Sequence, residues 1–167
     1  MSKLVENRAF TIAYEGIADE IHTPVRVEPI YTSDKSLLDV QIEVEALWDT
    51  GATMTCIKPS LRDRLKLRQS GLVESITMSG IGGDVEADGT LVSIWLTPNF
   101  VIELCPVYIA DFPGDEEVLI GMDIITMGDF AVCNADGNTS FSFAVPPFPD
   151  RVDFADKVDA VNKQNTI

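Results

Sequence analysis

The residue pattern predicts a mainly β fold, a closed or nearly closed β-barrel with one or two short helices. Three observations point to it. Short runs that alternate apolar and polar residues recur along most of the chain, as half-buried strands do. Gly-rich and Asp-Gly turns separate these runs at short spacing. Helical character is confined to short stretches, Pro59 to Leu67 and the segment after Asp150.

In chain order, Phe10 to Tyr14 alternates apolar and polar side chains, and Thr23 to Val27 does the same before Pro29. From Leu37 to Glu45 the period is that of a strand, with Leu38, Val40, Ile42 and Val44 on one face. Ala46-Leu47-Trp48 is then apolar throughout and ends at Asp49-Thr50-Gly51, after which Met54 to Ile57 reads as a further short strand. Pro59 to Leu67 suits a short helix with Ser60 near its start. Leu72 to Met78 and Gly89 to Leu96 are strand-like arms around the turn signal Ser79-Gly80-Ile81-Gly82-Gly83-Asp84. Phe100 to Ile109 and Glu117 to Ile120 continue the β pattern, and Phe130 to Cys133 and Thr139 to Val145 flank the hairpin dipeptide Asp136-Gly137. Pro146-Pro147-Phe148-Pro149 interrupts the strands, and Asp150 is placed to cap a short helix with Phe154, Val158 and Val161 on one face. The organisation reads as N-terminal strands over 1–30 that complete the barrel or serve a dimer interface, a protein domain over 31–145, and a C-terminal tail over 146–167.

Composition narrows the function. The 167 residues suit one domain, and a formal net charge of −15 repels phosphate backbones and anionic lipid, so neither nucleic acid nor a membrane is expected as a partner. Cys56, Cys105 and Cys133 match no zinc spacing, and their odd number argues against a disulfide framework. All three are expected to be buried free thiols in a reducing compartment. The N-terminus has no apolar signal core, and no run approaches the roughly 18 apolar residues that span a bilayer. A cytoplasmic protein with no metal and no cofactor is expected.

The chemistry centres on Asp49. An apolar strand delivers it, and Gly51 permits a sharp turn, so the carboxylate sits at the end of a rigid strand facing a cleft. Alone, Asp-Thr-Gly also reads as a plain strand exit, because Asp and Gly are common turn residues. Two carboxyl groups held in opposition can share one proton and so act as acid and base together. The chain carries a single Asp-Thr-Gly, while Asp88-Gly89 and Asp136-Gly137 lie in polar turns without a preceding apolar strand. One chain therefore offers a single such carboxylate, and a two-fold axis can supply a second.

The segment Ala46-Leu47-Trp48-Asp49-Thr50-Gly51-Ala52-Thr53 resembles the active-site signature of the retropepsin-like aspartic proteases. Val118-Leu119-Ile120-Gly121-Met122-Asp123-Ile124-Ile125 resembles their second signature, an apolar run with an obligatory glycine leading into a helix. Between the two, Gly80-Ile81-Gly82-Gly83 is similar to the tip of the retropepsin flap. The resemblance spans Leu37 to Phe143, and the Gly-Met-Asp wording is closer to retrotransposon-type and cellular DNA-damage-inducible-type members than to retroviral ones. It implies a retropepsin-like barrel with Asp49 catalytic, Thr50 hydrogen-bonding across a dimer axis, and Gly51 letting the backbone approach substrate. Ala52, Thr53, Ile81, Gly82, Gly83 and Ile120 would contact substrate or shape the cleft, with Ile81 to Gly83 as a mobile flap tip and Ile120 with Gly121 behind the active-site loop. Thr53 and Met122 depart from the aspartate and arginine usual in retroviral members, so that support pair is absent and the dimer must be braced otherwise. The implied function is a homodimeric aspartic endopeptidase acting on protein or peptide substrates. The alternative is a non-proteolytic peptide-binding or dimerisation module with the same fold.

Other centres are weaker. His22 is the single histidine and lies among polar residues, where a surface role is expected rather than a Ser-His-Asp or Cys-His centre. Cys56, on an apolar strand, reads as a structural thiol. Gly80 to Gly83 lacks the Lys-Ser/Thr of a phosphate loop. Asp111, Asp115, Glu116 and Glu117 lack calcium-loop spacing and read as a solvated acidic loop. Trp48 and Trp95 read as core or barrel-wall residues.

Overall fold

The computed structural model describes residues 8–30, 36, 40–67, 73–80, 83–150 and 152–164. Among the described residues, ten strands and three short helices follow in chain order: β1 (Arg8–Ala13), β2 (His22–Pro29), β3 (Ile42–Trp48), β4 (Cys56–Ile57), α1 (Pro59–Leu65), β5 (Ile76–Gly80), β6 (Gly83–Thr97), β7 (Phe100–Ile109), β8 (Val118–Ile120), α2 (Met122–Ile125), β9 (Asp129–Ala135), β10 (Asn138–Val145) and α3 (Phe154–Gln164).

The larger sheet runs β2-β3-β8-β4-β7-β6-β5, and a further antiparallel pairing of β2 with β6 closes its first six strands into a barrel. β5 lies outside the ring and pairs only with the leading half of β6, from Ile76↔Ala87 to Gly80↔Gly83. Inside the ring, strand faces alternate as a half-buried barrel requires: Val25 and Val27 on β2, Val44, Ala46 and Trp48 on β3, and Val92, Ile94 and Leu96 on β6 are all buried. A second sheet, β1-β10-β9, is antiparallel throughout and packs one face on the barrel. The seam is aromatic. Trp48 lies 4.9 Å from both Phe141 and Phe143, Phe10 lies 5.7 Å from Phe141, and Phe100 stacks on Phe143 at 6.1 Å. The Trp48 indole donates to the Thr23 hydroxyl at 2.9 Å, so its polar atom is satisfied inside the core.

Local chemistry sets the element ends, and several differ from expectation. α1 begins at Pro59, whose missing N–H costs nothing in a first turn, and stops where Lys66 adopts a left-handed conformation at φ 47°. Ser60 does not cap it, and its hydroxyl donates instead to Glu117 at 2.7 Å. β6 starts at Gly83 rather than Gly89, because ladder pairing with β5 carries both arms to the hairpin tip. The β9–β10 turn is left-handed at both Asp136 (φ 52°) and Gly137 (φ 76°), as a two-residue hairpin turn demands. α3 is capped by Asp153, not Asp150. It begins at Phe154, and the Asp153 carboxylate accepts from the N–H groups of Ala155 (2.9 Å) and Asp156 (3.3 Å). The expected strand from Leu37 begins only at Ile42, with Val40 and Gln41 outside it; residues 37–39 and Leu72 lie outside the described set. No helix among the described residues is long and apolar enough to cross a membrane.

Candidate active site

The barrel topology sets the two sequence signatures side by side. β3 and β8 are parallel neighbours in the register Ala46↔Val118, Leu47↔Leu119 and Trp48↔Ile120, so both chains of atoms leave the sheet at the same end. Asp49 is the first residue beyond β3, and its N–H donates to the Ile120 carbonyl at 2.9 Å, extending the ladder by one bond. The side chain is half-buried, and its Oδ1 accepts from the Gly51 N–H at 2.7 Å. That bond sets the carboxylate's rotation. The Ala52 N–H closes the turn on the Asp49 carbonyl at 3.2 Å.

The next residues are tied to the segment after β8. The Met122 N–H donates to the Ala52 carbonyl at 2.8 Å, and the Asp123 N–H to the Thr53 carbonyl at 3.2 Å. The Asp123 carboxylate accepts from the Thr55 N–H (2.9 Å) and the Thr55 hydroxyl (2.7 Å), while that hydroxyl accepts from the Gly121 N–H at 3.1 Å. Thr55 is fully buried, so this network stands in a setting where each lost partner costs the desolvation of a polar group. Gly121 is required by space: a Cβ there would lie 2.6 Å from the Met54 carbonyl carbon and oxygen. The sequence pattern assigns no role to the Thr55 and Asp123 side chains. The available signal was a threonine amid apolar strand residues and an acid just after the obligatory glycine.

Asp49 opens onto a cavity of about 380 Å³ that Thr50, Leu47, Phe130, Val132, Asp19 and Glu20 also line. Asp49, Thr50, Gly51, Ala52, Thr53 and Ile120 thus form one contiguous unit, with Thr50 and Thr53 exposed and Ile120 fully buried behind Trp48. Gly83 belongs to a different place, the tip of the β5–β6 hairpin, at φ +100°. Ile81 and Gly82 lie outside the described residues.

Competing centres lose their chemistry. His22 is half-buried, and both ring nitrogens face carboxylates, Nε2 at 3.1 Å from Glu20 and Nδ1 at 3.2 Å from Glu116, which leaves no ring nitrogen for a Ser or Cys nucleophile. Burial, and then the Asp123 charge, push the Cys56 thiol up to about 11 and the Cys105 thiol up to about 12, so neither is a thiolate near neutrality. Cys133 is exposed on β9, contrary to the expectation that all three thiols are buried, because it lies on a sheet edge. The acidic loop is not simply solvated either. Glu117 accepts from Ser60 and Arg64, and Lys58 donates to the Gly114 carbonyl. Among the described residues, no three His, Cys, Asp or Glu side chains converge as metal ligands. Trp95 lies half-buried in the barrel wall, donating to Glu28 at 2.9 Å beneath the Arg26 guanidinium.

The family model for aspartyl protease matches residues 38–124, over half of the chain. The chain belongs to the aspartyl protease family. Its retropepsin-like fold is shared with the crystal structure of a retropepsin-like aspartic protease from Rickettsia conorii, at a TM-score of 0.52 and 13% identity over 84% of this chain and 96% of that one. The solution structure of Simian Foamy Virus (mac) protease matches over 60% of this chain and 89% of that one, at 19% identity and a TM-score of 0.36. No curated protein matches the sequence. Within the aspartyl protease frame, the Asp49 loop is braced inside the chain by Asp123 and Thr55, while Met122, where a retroviral member carries arginine, packs against the hydrophobic core.

Proposed function

We propose that this protein is a homodimeric aspartic endopeptidase in which the Asp49 carboxyls of two chains face each other across a two-fold axis. The observation that carries this reading is the placement of Asp49. It is half-buried at the end of paired parallel strands, oriented by the Gly51 N–H and open to a cavity. The chain has one such aspartate, and membership of the aspartyl protease family supports peptide hydrolysis.

Two carboxyls at close range share one proton, because their like charges disfavour double ionisation. The ionised Asp49 takes a proton from a water molecule, and the water oxygen forms a bond to the scissile carbonyl carbon. The protonated Asp49 of the second chain gives its proton to the carbonyl oxygen. The resulting gem-diol collapses as the C–N bond breaks. One hydroxyl proton returns to a carboxylate, and the amine leaves with the proton first taken from water. Thr50, exposed beside Asp49, is assigned to brace the two loops across the axis. Ala52, Thr53 and Ile120 are assigned to the cleft, and Ile81, Gly82 and Gly83 to a flap that excludes water over the bound peptide. The catalytic unit takes residues 31–145 together with the N-terminal strands of 1–30, since β2 is a barrel strand and β1 pairs β10.

Incubation with an unstructured protein such as casein, at acidic and neutral pH, tests the proposal with Asp49→Asn alongside. Cleavage by the wild-type chain and none by the variant is expected. Equal turnover by both removes Asp49 from the chemistry, and no cleavage by either leaves a binding module of the same fold.

A further inference from the structure

His22 opens β2 and pairs with Leu47 of β3, two residues before Asp49. Its ring bridges two segments, with Nε2 3.1 Å from Glu20 and Nδ1 3.2 Å from Glu116. Glu20 lines the Asp49 cavity together with its neighbours Asp19 and Ile21. Glu116 belongs to the segment that feeds β8, whose Ile120 carbonyl receives the Asp49 N–H. One imidazole therefore ties a wall of the cavity to the support of the Asp49 loop.

The chemistry of the ring makes this tie conditional. A neutral imidazole carries one N–H, and only the imidazolium donates from both nitrogens. Without the second proton, a ring lone pair faces a carboxylate oxygen at hydrogen-bond distance, and one of the two contacts opens. The Glu116 side chain is 16% exposed and fills the space over Gly114, where a Cβ would collide with its carboxylate. The Glu20 side chain is 66% exposed, so water replaces the ring there at little cost. Glu20 is thus the end that lets go.

The backbone around Glu20 shows what the ring holds. The Gly16 and Ala18 N–H groups donate to the Asn138 and Thr139 side chains, and the Ile21 carbonyl accepts from the Trp48 N–H. Asp19 and Glu20 lie between these pins. The other ionisable groups near the ring come from each element around it. Asp19 shares its loop, Glu45 and Asp49 stand two residues either side of Leu47 on β3, and Asp115 and Glu117 flank Glu116. The Tyr14 phenol donates to the His22 carbonyl at 2.6 Å, while Lys58 and Arg64 reach the Glu116 segment at the Gly114 carbonyl and at Glu117. Among these side-chain types, histidine is the one that ordinarily changes charge between about pH 5 and 8.

We infer that His22 is a positioning residue for the Asp49 site. Its imidazolium holds Asp19 and Glu20 in the cavity wall, and loss of the ring proton releases that wall while Glu116 stays on the ring. The inference rests on the proposed catalytic reading for the use to which the cavity is put.

The chain has a single histidine, so its ring gives one unambiguous NMR titration. That titration is set beside the backbone order parameters of Asp19 and Glu20 in full-length Asp49→Asn chains. The order parameters should fall as the ring loses its proton. His22→Phe keeps a ring without N–H groups and should leave them low at every pH. Glu116→Gln can donate its amide to the neutral ring, which frees the remaining N–H for Glu20, so the order parameters should stay high throughout. This last series decides the matter even where His22→Phe fails to fold. Peptide hydrolysis by chains that keep Asp49 gives a second readout. At acidic pH, KM for His22→Phe should exceed the wild-type value about two- to fivefold, the scale of one partly exposed ion pair. The two KM values should converge once the ring is neutral, with equal kcat throughout.

Order parameters indifferent to the ring proton overturn the inference. So does a KM ratio that is constant with pH, which marks His22 as a merely structural residue. Order parameters that follow the ring in a chain that cleaves nothing remove the catalytic reading and leave the clamp. Proteolysis by a chain whose order parameters ignore the ring removes only the clamp.

Discussion

Two regions of this molecule are built to opposite standards. The loop from Asp49 to Thr55 is tied within the chain to Ile120, Gly121, Met122 and Asp123, and Asp49 lines a cavity. The C-terminal region from β9 to α3 leaves an edge strand open and valines and a phenylalanine in water. A region that is internally satisfied holds geometry. The difference is between a loop held by hydrogen bonds inside the chain and a C-terminal region whose apolar side chains the chain leaves exposed.

Removing the carboxylate tests the rigid half most severely. Asp49→Asn should lower turnover about 10³-fold or more, because an amide cannot share a proton as a carboxyl pair does. Its dimerisation should be unimpaired, since like-charge repulsion at the axis is removed. Peptide hydrolysis and sedimentation together check this.

Loosening the brace is next in size. Asp123→Ala strands the Thr55 N–H and hydroxyl inside the chain and should cost about 2–4 kcal/mol of stability. Asp123→Asn keeps one acceptor oxygen and should cost about half as much. Denaturant titration of both variants gives the comparison, and equal losses would show that the carboxylate charge matters more than its hydrogen bonds.

A change at the hairpin tip should separate catalysis from folding. Gly83 has φ +100°, where a Cβ is strained although no neighbour lies within 4 Å. Gly83→Ala should therefore reduce turnover while shifting the melting temperature little, because the tip contributes few buried contacts. A large fall in melting temperature with kinetics intact would make the hairpin structural.

The smallest effect concerns the thiols. Cys56 and Cys105 are raised from 9.0 to about 11 and about 12, so the folded state holds their protons more tightly than the unfolded chain. Their contribution is full below about pH 9 and is lost as pH rises through about 11 to 12. Alkaline denaturation midpoints of Cys56→Ala and Cys105→Ala should accordingly be less steep in pH than the wild type. In the native state, a thiol reagent should modify Cys133 well before the other two.

Much of this was legible in the sequence, for reasons particular residues show. A period-two run placed β3, because that strand buries one face inside the barrel. Asp49 stands out in the sequence only through the three ordered motifs around it, since Asp-Thr-Gly alone is also a common turn. The extent of β6 was not, since its first residues pair with β5 through backbone groups that carry no side-chain signature. Asp123 escaped for a related reason: its partner Thr55 is distant in sequence and becomes adjacent only through the β4–β8 pairing. The cap on α3 fell to Asp153 rather than Asp150 because several acids precede that helix and only its first turn decides between them. Exposure of Cys133 depends on which strand ends the sheet, a property of topology rather than of local pattern.

The central claim is that one active site takes an Asp49 from each of two chains, and mixing tests it most directly. Wild-type chains at a fixed concentration that supports dimers are allowed to exchange with increasing amounts of Asp49→Asn chains, and peptide hydrolysis is followed. Random pairing predicts that activity per wild-type chain falls to about half at equal amounts and to about a tenth at a tenfold excess of the variant. Activity that stays constant across the series, with heterodimers demonstrated by sedimentation, would show that a single chain carries a complete site and would contradict the account.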